Sequence, residues 1–114
     1  MPKPLITATA SQNLASAALS STITFTADFV ELLEVNLHST IAITQTVTCT
    51  RVSVNGANYS FVLDTSSLSS QSNYIYAPTR GKAFRKGDTL TVTCTNTSTP
   101  AATVYLEVIY REDI

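Results

Sequence analysis

From residue 21 onward, apolar and polar side chains alternate with a period of two along most of the chain. In STITFTAD, Phe25 lies on the apolar side and the threonines lie on the other. The alternation continues in FVELLEVNLHST, where Leu33, Val35 and Leu37 are predicted to point inward. Because successive side chains of a strand point to opposite faces, this pattern is typical of strands with one buried face.

Five further strands are predicted from the same period and from turn residues. ITQTVTCTRVSV and NYSFVLDTS flank an Asn55-Gly56 turn, which predicts a hairpin. A short strand, NYIYAPT, is ended by Pro78, and RGKAFRKGD is predicted to be a loop that reverses at Gly87. TLTVTCTNT and ATVYLEVIYRE are expected to pair as the last two strands. The fold class is therefore all-β, a single antiparallel β-sandwich or jelly roll of about seven to eight strands over residues 21–114.

Residues 1–20 differ from the rest of the chain. They contain no aromatic or acidic residue, two early prolines, and mostly small side chains after Leu5 and Ile6. We expect an extended N-terminal arm outside the sandwich. Two interpretations stay open: a frayed terminus, or an arm that orders on a neighbouring subunit through contacts such as those of Leu5 and Ile6.

Composition and charge restrict the partners. Hydrophobic residues make up 44% of the chain and charged residues 13%, which is typical of a globular protein. The formal net charge of −1 gives no field that would attract nucleic acid or an anionic membrane. No apolar run has the length of about 20 residues that a membrane-spanning helix needs. The N-terminus is a poor match to a signal peptide, so we expect a soluble protein that is not exported.

The two cysteines occupy similar positions, in TVTCTRV and TVTCTNT. Both Cys49 and Cys94 fall on the strand face that the alternation assigns to the core. A disulfide between the sheets is geometrically conceivable, but the chain has no Trp of the kind that packs on such a bridge in immunoglobulin domains. Buried free thiols are favoured for a protein made in the cytosol.

No set of residues predicts a reaction or a metal site. His38 is the only histidine, it is predicted to lie on a polar strand face, and the carboxylates are scattered over strand ends. A nucleophile with a base and an orienting group, or a set of zinc ligands, cannot be assembled from them. We therefore expect no catalytic residues, no cofactor and no enzymatic activity.

The densest charged feature is RGKAFRK, where Arg80, Lys82, Arg85 and Lys86 surround Phe84. These are four of the seven cationic residues of the chain. An electropositive loop that docks on an acidic protein surface, with Phe84 as its apolar anchor, is one interpretation. A nucleic-acid contact is a weaker one because the overall charge is low. The third is an exposed loop whose phenylalanine folds back against the end of the sandwich.

Tyr74 and Tyr76 are predicted to share a strand face. Exposed together, they would form an aromatic platform on which sugars stack, although the core rim or an interface is the commoner place for such tyrosines.

Two long stretches resemble a known group of proteins: VELLEVNLHSTIAITQTVTCTRVSVNGANYSFVLDTSSLSS and FRKGDTLTVTCTNTSTPAATVYLEVIY. Together they span about Phe29 to Tyr110. The sequence is similar to small tailed-bacteriophage virion accessory proteins of the head decoration (cement), head-fibre or neck type. The shared features are strand and turn signatures, and the first twenty residues are not part of the resemblance.

The resemblance implies a β-sandwich without enzymatic activity or cofactor that assembles as a symmetric homo-oligomer, with a trimer favoured. It implies that the chain is made in the host cytoplasm and ends in the virion, where a decoration protein binds the major capsid protein or other virion proteins. A neck, head-fibre or tail component, and a carbohydrate-binding module, are the alternatives.

Overall fold

The computed structural model of the protein describes residues 4–113, and nine strands account for most of them. A short 3-10 turn, Ala57–Tyr59, follows the fourth strand. The all-β prediction is confirmed. The strands are β1 (Leu5–Asn13), β2 (Leu19–Thr24), β3 (Phe29–Ile43), β4 (Thr46–Val52), β5 (Phe61–Ser67), β6 (Gln71–Tyr76), β7 (Lys82–Arg85), β8 (Thr89–Cys94) and β9 (Thr103–Asp113).

The strands form two antiparallel sheets that pack face to face. Sheet 1 has the order β1-β9-β3-β6, and β7 pairs with the first part of β3, so that β6 and β7 lie end to end along one side of β3. Sheet 2 has the order β2-β8-β4-β5. The chain crosses from one sheet to the other at most connections. As a result, neighbours within a sheet are distant in sequence: β9 lies between β1 and β3, and β8 lies between β2 and β4. This strand order is that of a jelly roll.

The core lies between the two sheets and consists of the side chains that the period-two pattern turns inward. Its largest aromatic contact joins Phe25 to Phe84, whose ring centroids are 4.9 Å apart, and Tyr110 packs edge-on against Phe25 at 5.2 Å. Both phenylalanines are almost completely buried. Burial of one such side chain contributes about 1.5 to 3 kcal/mol, so this core supplies most of the stability of the fold. The largest fully buried aliphatic side chains are Leu14, Val30, Leu32, Val35, Leu37, Val47, Leu90, Val92, Val104 and Val108.

The predicted N-terminal arm is extended but is part of the sandwich, so the predicted boundary at residue 20 does not divide it from the domain. Leu5–Asn13 forms β1, which pairs with β9 along its whole length. Leu14 is fully buried, and its amide donates to the carbonyl of Ala102 at 2.9 Å. Each small side chain of this segment buries little surface, so the apolar pattern did not predict a strand here. The segment is held as a strand by its pairing with β9. Residues 1–3 of the predicted arm, like Ile114, lie outside the described residues.

Two further expectations are corrected. The pairing with β9 shifts by one residue between Leu32 and Glu34, so Leu32 is fully buried and Leu33 is only partly so. Such a bulge moves every later side chain to the opposite face, which explains why Val35 and Leu37 are inward as predicted. The last two strands, β8 and β9, do not pair with each other but lie in different sheets.

Candidate functional site

Exposed apolar side chains are concentrated in the hairpin that joins β4 to β5. Among the described residues, nine large hydrophobic side chains are well exposed, and five of them lie between residues 52 and 62. We call these five the hairpin patch: Val52, Val54, Tyr59, Phe61 and Val62. Their exposed fractions range from 43% to 62%. Phe61 pairs with Arg51 and Val62 pairs with Thr50, so these two side chains point to opposite faces of the hairpin, and both faces of its end carry exposed apolar surface.

Local hydrogen bonds hold the hairpin in one shape. The amide of Ser53 donates to the hydroxyl of Ser60 at 2.8 Å, and that hydroxyl donates to the carbonyl of Gly56 at 3.2 Å. Gly56 has a φ of 109°, which a residue with a side chain rarely adopts. The 3-10 turn that follows leaves Tyr59 62% exposed. The aromatic side chains of the patch are therefore presented from an ordered turn.

A buried carboxylate ties the hairpin to the basic segment. One oxygen of Asp88 accepts from the amide of Val54 at 2.9 Å, and the other accepts from the amide of Arg85 at 2.9 Å and from the guanidinium of Arg51 at 3.3 Å. Burial alone would raise the pKa of Asp88, but the two amide hydrogen bonds and the charge of Arg51 outweigh it, and the pKa is lowered. Asp88 is therefore ionised and links the two segments.

Cations border the hairpin patch. Arg85 is the last residue of β7 and Lys86 lies in the turn before Gly87, and both are exposed. The Arg85 guanidinium carbon lies 5.2 Å from the ring centre of Phe29, and the side chain of Val54 lies close to Gly87. The Arg51 guanidinium carbon lies 5.5 Å from the ring centre of Phe61, which places a third positive charge beside an exposed aromatic side chain. We call the hairpin patch together with Arg85 and Lys86 the docking end.

The structure changes the role of the predicted anchor. Phe84 is fully buried and packs on Phe25 in the core. Of the three interpretations of this segment, the exposed anchor is therefore wrong for Phe84, and the phenylalanine folds back against the sandwich. RGKAFRKGD is not a simple loop, because Lys82–Arg85 forms β7 and pairs with the start of β3. The four cations of the segment, by contrast, are all exposed: Arg80, Lys82, Arg85 and Lys86.

The predicted contact residues of the N-terminal segment lie at the same end of sheet 1 as β7. Leu5 is 57% exposed. One row across sheet 1 joins it to β7: Leu5 of β1 pairs with Arg111 of β9, Arg111 with Glu31 of β3, and Glu31 with Ala83 of β7. Ile6 is half-buried in the next row. Three steps between strands amount to about 14 Å, so a single partner protein could contact both Leu5 and β7.

The predicted sugar platform is wrong for Tyr74. Its side chain is only 5% exposed, and its hydroxyl donates to Asp64 at 2.5 Å and lies 3.4 Å from the thiol of Cys49. Burial and these contacts raise the pKa of Tyr74. Tyr76 shares the inward face and packs against the core. On β6 it is Asn73 and Ile75 that face outward, because the even-numbered residues face the core.

The remaining candidates for chemistry are structural. His38 is exposed, as predicted, and its Nδ1 lies 2.9 Å from the amide oxygen of Asn73. Cys49 and Cys94 are free and fully buried, and burial raises the pKa of Cys49 to about 11, which keeps the thiol protonated. Within residues 4–113 there is no cluster of three or more His, Cys, Asp or Glu that would hold a metal ion. None of the described residues forms a helix with the length and apolarity needed to cross a membrane.

The docking residues could be found only partly from the sequence. The basic segment was visible as a charge cluster, whereas the hairpin patch was not identified because its apolar residues sit in a strand pattern that normally indicates burial. The signal that distinguishes them is the Asn-Gly turn, which places these residues near the tip of the hairpin between β4 and β5.

No protein-family model matches the chain, and no curated protein matches it. Among solved structures, RmlC from Streptococcus suis in complex with dTDP-D-xylose is similar over 85% of this chain, with 11% sequence identity and a TM-score of 0.27. The chain spans 44% of the length of that protein.

Proposed function

We propose that the protein is a non-enzymatic bacteriophage virion protein, a capsid decoration or cement protein that binds and stabilises the head through protein-protein contacts. The observation that carries the proposal is the docking end, where exposed aromatic and aliphatic side chains on an ordered hairpin are bordered by cations. An apolar, aromatic centre with a charged rim is the usual composition of a specific protein interface. Jelly rolls also occur among viral capsid domains, which agrees with the proposal at the level of the fold.

The partner surface is expected to be apolar at its centre and acidic at its edge. Tyr59 and Phe61 are the side chains with most area to bury, and aromatic residues dominate the binding energy of many interfaces. Arg85 and Lys86 would then face carboxylates of the major capsid protein, which steers association and fixes orientation. The same contact chemistry would serve a neck, head-fibre or tail component, and the position in the particle distinguishes these alternatives.

A single docking end is small, and this favours a homo-oligomer. A standard interface buries about 1,600 Å² in total, more than the side chains of one hairpin provide. Several copies that bind together gain affinity through high effective concentration, and a trimer matches a three-fold site on a head. The outer face of sheet 2 offers a surface for contacts between copies. Its threonines form cross-strand hydroxyl pairs such as Thr22 with Thr91 and Thr48 with Thr65, each 3.2 Å apart.

Binding of purified protein to heads that lack it tests the proposal. We expect Phe61→Ser to weaken binding about tenfold or more, since an aromatic contact at the interface centre is lost. Ile41→Ser is the matched control, because Ile41 is 49% exposed on β3 and lies outside the docking end. Equal binding by both variants and the unmodified protein would contradict the proposal, as would failure of the unmodified protein to bind heads at all.

A further inference from the structure

The outer face of sheet 1 carries a second surface, separate from the docking end. An open groove of about 760 Å³ crosses β1, β9, β3 and β6. The strand register arranges its outward side chains in two rows: Ser11, Tyr105, His38 and Asn73 in one, and Thr9, Glu107, Asn36 and Ile75 in the other. We call this surface the sheet-1 groove. Four strands span about 14 Å, which is enough for a ligand of several linked rings.

Several side chains of the groove have hydrogen-bond donors or acceptors without a partner among the described residues. His38 Nδ1 lies 2.9 Å from the amide oxygen of Asn73, so the Asn73 NH₂ and the second ring nitrogen of His38 are left for a ligand. In the other row, Asn36 donates to Glu107 over a long 3.4 Å, and the Asn36 amide oxygen is enclosed without a hydrogen-bond partner. Free polar groups in one groove are suited to a ligand that carries several hydroxyl groups.

Apolar surface lies beside these polar groups. Tyr105 is 52% exposed and sits next to His38 in its row, and Ile75 is 65% exposed and sits next to Asn36. An exposed aromatic ring presents a flat apolar face with a polar tip. Together with the aliphatic side chain of Ile75, it gives the groove two places where the C–H face of a sugar ring can pack while the ring hydroxyls reach the amides and carboxylates.

The charges in the groove decide between classes of ligand. Glu34 and Glu107 line it, and no Lys or Arg is among its lining residues. Two carboxylates repel phosphate, sulfate and other anionic groups, which excludes nucleic acid and acidic glycans. Carboxylates are strong acceptors for hydroxyl groups, so the charge favours a neutral ligand rich in hydroxyls.

We propose that the sheet-1 groove is a binding site for a neutral oligosaccharide, with Tyr105 as the stacking surface and Asn73, His38 and Glu107 as the hydrogen-bonding groups. This site uses residues other than the predicted platform of Tyr74 and Tyr76, and it does not depend on the virion role. The groove belongs to sheet 1 and the hairpin patch to sheet 2, so both surfaces can be occupied in one molecule.

The test is a titration of the ¹⁵N-labelled protein with a panel of neutral hexose and N-acetylhexosamine oligosaccharides, followed by amide chemical shifts. We expect at least one of them to shift amides of the groove strands and to bind Tyr105→Ala about tenfold more weakly. Tyr59→Ala is the matched control, because Tyr59 is also a well-exposed tyrosine, 62% against 52% for Tyr105, and lies outside the groove. It is expected to bind the sugar like the unmodified protein.

A second variant keeps the test informative if Tyr105→Ala fails to fold. Asn73→Ala removes one exposed side chain at the edge of the groove and is expected to weaken binding of the same oligosaccharide while leaving the circular dichroism spectrum unchanged. The proposal is overturned if no neutral oligosaccharide binds the unmodified protein, if the shifts fall outside the groove, or if sialylated or sulfated glycans bind more tightly than neutral ones. None of these results would bear on binding of the docking end to heads.

Discussion

The carboxylate of Asp88 accepts a hydrogen bond from the backbone amide of Val54 at 2.9 Å. This single contact joins the hairpin between β4 and β5 to the turn between β7 and β8, which are segments more than thirty residues apart in the chain. Asp88 is only 1% exposed and also pairs with Arg51, so its carboxylate is covered by its hydrogen-bond partners. The exposed apolar side chains and the cations of the docking end therefore keep a fixed relative position.

Asp88→Asn is expected to destabilise the protein by about 2 kcal/mol. The NH₂ group of the new side chain cannot accept from the Arg85 amide or from Arg51, so a buried amide and a half-buried cation lose their partner. The free energy of unfolding in urea measures the effect. Asp28→Asn, at an exposed carboxylate, is the control and is expected to change that free energy by less than about 0.5 kcal/mol. Equal effects of the two substitutions would contradict the role given to Asp88.

The stabilisation by Asp88 is expected to disappear in acid. Because its pKa is lowered by folding, the contribution is fully present above the unfolded pKa of about 3.9 and is lost as pH falls through the lower folded pKa. The difference in unfolding free energy between the unmodified protein and Asp88→Asn should be constant from about pH 5 to 8 and shrink below about pH 4. A difference that grows on acidification would show that the pKa is raised instead.

The two turn glycines of the docking end are expected to resist alanine for different reasons. Gly56 and Gly87 both have positive φ values, 109° and 92°, so either substitution costs about 1 kcal/mol or more in backbone strain. At Gly56, φ of 109° with ψ of 179° is a region that essentially only glycine adopts, and an added Cβ meets nothing within 4 Å. A Cβ at Gly87 would lie 3.0 Å from the side chain of Val54. Thermal unfolding should therefore show a lower midpoint for both Gly56→Ala and Gly87→Ala. An unchanged midpoint for either variant would contradict the turn conformation given to that glycine.

Both thiols are expected to resist alkylation in the folded protein. Cys49 and Cys94 are fully buried, so iodoacetamide cannot reach them in the folded protein. Burial also raises the pKa of each thiol, so the reactive thiolate is scarce. Mass spectrometry after treatment at about pH 8 should show an unmodified protein, and the same treatment in guanidinium should add two groups. Rapid modification of the native protein at either residue would contradict the assignment of these strand faces to the core.

The strand pattern predicted the class of fold and much of the core, but not its closure or its surfaces. Val35 and Leu37 were placed correctly by their period, while Leu33 was not, because a bulge depends on the neighbouring strand rather than on local sequence. Leu5–Asn13 was missed as a strand because its stability comes from pairing with β9 at the far end of the chain. The sheet-1 groove has the same origin, since His38 and Tyr105 become neighbours only through that long-range register.

Cryo-electron microscopy of phage particles purified from cells that express this chain tests the proposed virion role most directly. The account predicts ordered copies of the jelly roll on the head, with Tyr59 and Phe61 of the hairpin patch against the major capsid protein and the chain present by mass spectrometry. Particles that lack the chain, or copies whose hairpin patch faces solvent, would contradict it.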